Sequence, residues 1–122
     1  MRKVKIIIVE DEYIVAADIR ESVHNIGYSL CVILKSGEEA VKRVEKDKPD
    51  LILMDIVLKG RMDGIEAARQ INRRRNIPVI FLTAHADDEI LKRASMVEHS
   101  GYILKPFDEE ELKETISNAL KK

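Results

Sequence analysis

Five short apolar runs alternating with segments of helical periodicity predict an α/β fold, a (βα)5 doubly wound parallel five-stranded sheet. Three observations carry that reading. The runs Val4–Val9, Tyr28–Leu34, Leu51–Met54, Val79–Leu82 and Tyr102–Leu104 all have strand length. They are apolar almost without interruption, as strands covered on both faces are. Each is followed by a segment long enough to bring the chain back to the same edge, which parallel strands require, and such crossovers are right-handed.

The helices follow from stripes that place one apolar face inward: Val15/Ile19/Val23, Ala40/Val41/Val44, Ile65/Ala68/Ile71, Ile90/Ala94/Val97 and Leu112/Ile116/Leu120. Their starts carry a chemical signal. Ser36 with Glu39, Asp63 with Glu66 and Asp108 with Glu111 read as capping boxes, in which each side chain takes an orphan backbone N–H of the other residue. Gly27 can close the first helix, and Pro49, Pro78 and Pro106 punctuate loops. The last helix has Glu109, Glu110 and Glu111 at its start and Lys121 and Lys122 at its end, the arrangement its macrodipole favours.

A chain of 122 residues with 45% hydrophobic content suits one core, so a single domain over 1–122 is expected, with no output domain. No repeat, low-complexity tract or linker divides it. The 21 Lys and Arg nearly balance the 22 Asp and Glu, so no general positive field attracts nucleic acid. Cys31 is the sole cysteine and lies inside an apolar run, where it reads as an inert core thiol. No apolar stretch approaches the roughly 20 residues that cross a bilayer, and a cytoplasmic location is the default expectation.

In open α/β sheets, ligands bind beyond the carboxyl ends of the strands. Glu10 and Asp11 end the first run, Asp55 the third, Thr83 the fourth and Lys105 the fifth. Taken singly, each has a plain explanation: an acidic start to the first helix, a loop carboxylate, a helix cap, a solvated lysine. Their fall on one edge favours a common site. Clustered carboxylates raise one another's pKa values unless a cation joins them, and an all-oxygen set suits Mg²⁺. Lys105 can pair with a carboxylate and then with an anion bound to it, while Thr83 offers a neutral donor. This is a site for a carboxylate nucleophile, Asp55, that receives a phosphoryl group.

IIIVEDE (6–12), LILMD ending at Asp55, MDGIEAA (62–68), VIFLTA with Thr83 and GYILKPF with Lys105 together resemble the receiver domains of two-component response regulators, over essentially the whole chain. The resemblance implies a flavodoxin-like strand order of 2-1-3-4-5 and a signalling domain, not an enzyme, that assists its own phosphorylation and dephosphorylation. It implies Asp55 as phosphoacceptor, and Mg²⁺ held by Glu10, Asp11, Asp55 and the main-chain carbonyl of Val57. Lys105 and Thr83 would contact the phosphoryl group, and Tyr102 would swing inward with Thr83. The output would appear on the face of the fourth helix, fifth strand and fifth helix. Implied partners are a sensor histidine kinase or phosphotransfer protein, docking on a surface that includes Ile14 and Val15, and a downstream protein or output domain. A homodimer through the fourth and fifth helices belongs to the same set. Direct nucleic-acid or membrane binding does not.

Two departures from the family pattern stand out. The loop IVLKGR after Asp55 is one residue longer than usual and lacks its proline, and its Lys59 and Arg61 add positive charge that either meets phosphate or a partner or is simply solvated. Glu10 replaces the commoner Asp, a longer arm of equal charge. His85 either lines the site or is an exposed loop histidine; His24 and His99 read as helix-end dipole contacts. An Mg²⁺-dependent phosphohydrolase of the haloacid dehalogenase kind would need a second acid two residues after Asp55, where Val57 stands. A nucleotide or flavin binder would need a phosphate-cradling loop where Glu10-Asp11-Glu12 repels anions. A receiver-like interaction module without phosphorylation is the remaining alternative, and the intact acidic pair, Asp55, Thr83 and Lys105 argue against it.

Overall fold

A computed structural model describes residues 3–121. The elements alternate as expected: β1 (Lys5–Val9), α1 (Tyr13–Ile26), β2 (Leu30–Leu34), α2 (Gly37–Asp47), β3 (Leu51–Met54), α3 (Gly64–Arg74), β4 (Val79–Thr83), α4 (Asp88–Ser95), β5 (Gly101–Leu104) and α5 (Glu109–Leu120). The strands are all parallel, in the order β2-β1-β3-β4-β5. The flavodoxin-like arrangement implied by the resemblance is therefore the one observed.

Alternation along the strands divides the core into two layers. Ile7 and Val9 of β1, Ile52 and Met54 of β3 and Val79 and Phe81 of β4 pack against α2, α3 and α4. Ile6 and Ile8, Leu51 and Leu53, Ile80 and Leu82 face the other way, onto α1 and α5. Both faces are dry, which is why the central strands tolerate no polar residue in their interior.

The caps correct one expectation. Ser36, Asp63 and Asp108 each accept the N–H three residues on, at 3.1, 2.9 and 2.7 Å. The return bonds are not the predicted ones. Glu39 accepts from Lys35 N–H instead of Ser36, and Glu66 turns to Arg69 and Gln70. An acid on an exposed first turn has several nearby donors, and the local guanidinium or amide wins. Asp87 caps α4 through Ile90 N–H, a cap the sequence reading did not single out. Gly27 closes α1 with φ 125°, as expected, and Lys121 stands at the C-cap of α5; Lys122 lies outside the described residues.

Other expectations shift in detail. Helix α4 ends at Ser95, so Val97 is buried from the following turn and not from the helix itself. Cys31 is half-buried, because β2 is an edge strand, and so is not a full core residue. His99 does more than sit at a helix end: its ring packs on Phe81, centroids 5.2 Å apart, and its Nδ1 is 2.8 Å from the Val97 carbonyl.

Gly64 at the start of α3 has a distinct reason to be glycine. A Cβ there would lie 1.9 Å from the Asp55 carbonyl oxygen, while the Gly64 N–H donates to Ile56 O at 2.8 Å. Helix α3 is thus seated directly on the segment that carries Asp55.

Candidate functional site: an acidic cleft at the carboxyl edge of the sheet

Backbone pairing continues past the strand ends. Glu10 N–H donates to Leu34 O, Asp55 N–H to Val9 O and Lys105 N–H to Thr83 O, all within 3.0 Å. The main chain at each of these residues is therefore fixed by the sheet even though the residue lies outside it. Their side chains converge. Single oxygens of Glu10, Asp11 and Asp55 lie within 4.8 Å of one another.

Lys105 is the counter-charge. Its Nζ is 2.6 Å from Glu10 Oε1 and 3.7 Å from Asp55 Oδ2. Glu10, only 2% exposed, also accepts the Glu12 N–H on Oε2 at 3.1 Å, so both of its oxygens are occupied. The Lys105–Pro106 peptide bond is cis. Thr83 is fully buried beside Asp55, and its Oγ1 accepts the His85 N–H at 3.3 Å. Asp11 is half-exposed and accepts the Lys59 N–H on Oδ2 at 2.8 Å.

Tyr102 lies near Phe81, ring centroids 6.4 Å apart, and its hydroxyl donates to His85 O at 2.6 Å. Burial and the nearby Asp87 charge push its phenol pKa upward, so it stays a neutral donor. His85 thus couples Thr83 to Tyr102 through its main chain, while residues including Val57, Ala84 and His85 line the cleft around Asp55 and Lys105. Asp63, besides capping α3, pairs with Arg93 of α4 at 2.8 Å. All the site residues read from the sequence are near this edge. The sequence reading did not find the Lys59 main-chain donor or Glu38, which accepts the Arg61 N–H at 3.2 Å; a loop one residue longer was the available hint.

The sequence profile of the response regulator receiver domain matches residues 6–117. The chain belongs to the response regulator receiver family. This receiver is 36% identical over 103 residues to the transcriptional regulatory protein PdtaR of Mycobacterium tuberculosis H37Rv, covering 84% of this chain and 50% of that protein. It is 32% identical over 120 residues to the alkaline phosphatase synthesis transcriptional regulatory protein PhoP of Bacillus subtilis 168, covering 97% and 49%. The receiver spans about half the length of these curated relatives. The receiver domain of the sensor histidine kinase PA1611 from Pseudomonas aeruginosa PAO1, solved with a magnesium ion coordinated in its active-site cleft, superposes with a TM-score of 0.89 at 28% identity, covering 99% of this chain and 100% of that one. The receiver domain of a modulated diguanylate cyclase from Desulfovibrio desulfuricans G20 gives a TM-score of 0.91 at 35% identity, covering 98% and 95%. Among the described residues, no helix is long and apolar enough to cross a membrane.

The donor set of this receiver fits Mg²⁺. Three carboxylates face one ammonium, leaving an excess of negative charge that a hard divalent cation would relieve. The three carboxylate oxygens lie within 4.8 Å of one another, close enough for one small cation to draw them together.

Burial raises the Asp55 pKa to about 6; Lys105 pulls against that rise, Glu10 adds to it by charge and hydrogen bonding, and Thr83 opposes it with a hydrogen bond. The folded, metal-free protein therefore keeps a proton that the unfolded chain releases near pH 4. The Asp55 contribution to stability therefore falls as pH rises from about 4 to about 6 and stays at the lower level above. Asp55→Asn removes this penalty. Allowing for solvent screening, we expect it to stabilise the metal-free protein at pH 7.5 by about 1–2 kcal/mol and to flatten the slope between pH 4 and 6. Urea unfolding in EDTA across that range measures both effects, and an unchanged slope in Asp55→Asn would assign the titration elsewhere.

Proposed function

We propose that this receiver is the phosphoacceptor switch of a two-component phosphorelay, taking a phosphoryl group on Asp55 from the phosphohistidine of a sensor histidine kinase or phosphotransfer protein. The observation that carries this reading is the Asp55 carboxylate set between Lys105, at 3.7 Å, and the two acids Glu10 and Asp11. In the transfer, an Asp55 oxygen bonds to phosphorus as the P–N bond breaks, and the leaving imidazole is protonated. Glu10, Asp11, Asp55 and the main-chain carbonyl of Val57 would hold Mg²⁺, which would supply positive charge against the transferring group. Lys105, 3.7 Å from Asp55, would meet one phosphoryl oxygen, and the buried Thr83 hydroxyl would donate to another.

As Thr83 moves toward the phosphoryl group it would draw the His85 main chain, which it accepts from, and with it the carbonyl that holds the Tyr102 hydroxyl, letting Tyr102 move inward. The α4–β5–α5 face then changes, and its exposed Leu91, Met96 and Leu104 suit either a downstream partner or a second copy of the chain. Moving such a switch from 1:99 to 99:1 takes about 5.5 kcal/mol of differential stabilisation. Exposed Tyr13 and Ile14, 67% and 76% accessible at the start of α1, suit docking of the phosphodonor protein. The balanced charge of the chain provides no positive field for nucleic acid, so the domain itself is read as one that touches none, although the two curated relatives, about twice as long, are transcriptional regulators.

The test is incubation with acetyl phosphate and Mg²⁺, followed by intact mass. One phosphoryl group is expected on the wild type, and none without Mg²⁺ or in Asp55→Asn. Absence of the adduct on folded, Mg²⁺-binding protein would leave the unphosphorylated interaction module as the better reading.

A further inference from the structure

We infer that Glu38, on the first turn of α2, is a positioning residue for the metal-holding carboxylate Asp11, acting through the Lys59–Gly60–Arg61 loop. The inference rests on the proposed reading of Asp11 as a carboxylate that holds Mg²⁺. Of the three acids in the cleft, Asp11 is the one held by neither Lys105 nor Thr83. Glu10 is fixed by the Lys105 ammonium and the Glu12 N–H, and Asp55 by the nearby Lys105 and Thr83. The half-exposed Asp11 has the Lys59 N–H as its hydrogen-bond donor, at 2.8 Å on Oδ2, which leaves Oδ1 for a cation.

That donor belongs to an exposed loop, and the loop has its own anchor. Two residues on, the Arg61 N–H donates to Glu38 Oε2 at 3.2 Å. Between them Gly60 has φ +108°, and a Cβ there would stand 3.1 Å from the same Glu38 oxygen. The chain of contacts runs from Glu38 to Arg61 N–H, through the glycine turn to Lys59 N–H, and on to Asp11.

The duller account makes Glu38 an ordinary acid on a helix first turn, favoured there by the helix dipole alone. It does not explain where the side chain goes. A dipole contact asks only that the carboxylate stay near the α2 amino terminus in water. Instead Oε2 is on the Arg61 N–H, and Oε1 is hidden from solvent with no hydrogen-bond partner. Leaving an oxygen unsatisfied is unfavourable, and it fits a side chain pressed onto the loop. Partners one step removed from a metal ligand commonly change metal affinity by about 10–100-fold. Acting through a backbone loop, Glu38 belongs at the lower end of that range.

Calorimetric titration with Mg²⁺ alone tests this on the full 122-residue chain. Glu38→Ala should raise the Mg²⁺ Kd about tenfold. Glu38→Gln, which keeps an acceptor for Arg61 N–H, should stay within about twofold of wild type. Gly60→Ala, strained at its positive φ and crowded against Glu38, should weaken Mg²⁺ as Glu38→Ala does, and carries the same test if Glu38→Ala loses its fold. With acetyl phosphate, the Mg²⁺ concentration for half-maximal phosphorylation should rise in Glu38→Ala while the rate at saturating Mg²⁺ is unchanged. A merely structural role would instead lower stability in EDTA and leave the Mg²⁺ Kd alone. Wild-type affinity in Glu38→Ala, or equal weakening by Ala and Gln, overturns this inference alone. Failure of the wild type to bind millimolar Mg²⁺ overturns the metal reading and this inference with it.

Discussion

Gly64→Ala is expected to destabilise the protein by about 3 kcal/mol or more and to abolish Mg²⁺ binding in whatever fraction stays folded. In a helix the substitution normally helps by about 0.5–1 kcal/mol, since alanine loses less backbone freedom than glycine. That gain cannot compete here. The new Cβ would lie 1.9 Å from the Asp55 carbonyl oxygen, 2.8 Å from its carbonyl carbon and 2.9 Å from the Ile56 Cα. All three are backbone atoms, so no rotamer change makes room. Either α3 backs away, breaking the Gly64 N–H bond to Ile56 O and opening the layer around Ile65 and Ala68, or the Asp55 segment moves and carries its carboxylate out of the cleft. Urea unfolding with and without Mg²⁺ measures both consequences. A loss below about 1 kcal/mol with Mg²⁺ affinity intact would show that α3 does not rest on Asp55 as closely as these contacts require.

This glycine also shows where sequence reading succeeds and where it stops. The strands were legible because both faces of β1, β3 and β4 are buried, which leaves short, nearly unbroken apolar runs, and the helices because each turns one apolar stripe inward. The carboxyl edge was legible because apolar runs end abruptly at Glu10, Asp55 and Lys105, and parallel topology brings those ends together. What the sequence does not display is the choice among local partners. Glu39 could have returned to Ser36 but accepts from Lys35, and Glu66 goes to Arg69, because exposed acids choose among donors of similar energy. Edge position is invisible as well, which is why Cys31 was expected deeper than it lies. The Glu38 tie joins residues 23 apart through a main-chain N–H that any residue but proline would supply, so no side-chain pattern announces it.

Lys105→Met should lower stability in EDTA at pH 7.5 by about 3 kcal/mol, and Mg²⁺ should restore more stability to the variant than it adds to the wild type. Lys105 Nζ is the positive charge within 4.0 Å of both Glu10 and Asp55 among the described residues, and Glu10 is almost wholly removed from water. Deleting one partner of such a pair leaves a buried carboxylate uncompensated, which usually exceeds the modest value of the intact pair. Asp55 loses the charge that pulls its raised pKa down and holds its proton more tightly, so its part of the stability lost at pH 7.5 is still present at pH 5 and disappears as pH increases through the raised value. Mg²⁺ supplies the missing positive charge from a different direction and so binds the variant more tightly than it binds the wild type, where it must share the carboxylates with an ammonium. Asp55→Asn in the Lys105→Met background should recover part of the loss, because one of the unpaired charges is gone, and the double-mutant cycle gives the coupling directly. Thermal unfolding at pH 5 and 7.5, with EDTA or Mg²⁺, separates the alternatives. A variant as stable as wild type in EDTA would mean that the Lys105 ammonium is not what holds Glu10 in place. A smaller Mg²⁺ gain than in wild type would mean that Lys105 assists the cation by organising its ligands more than it opposes it by charge.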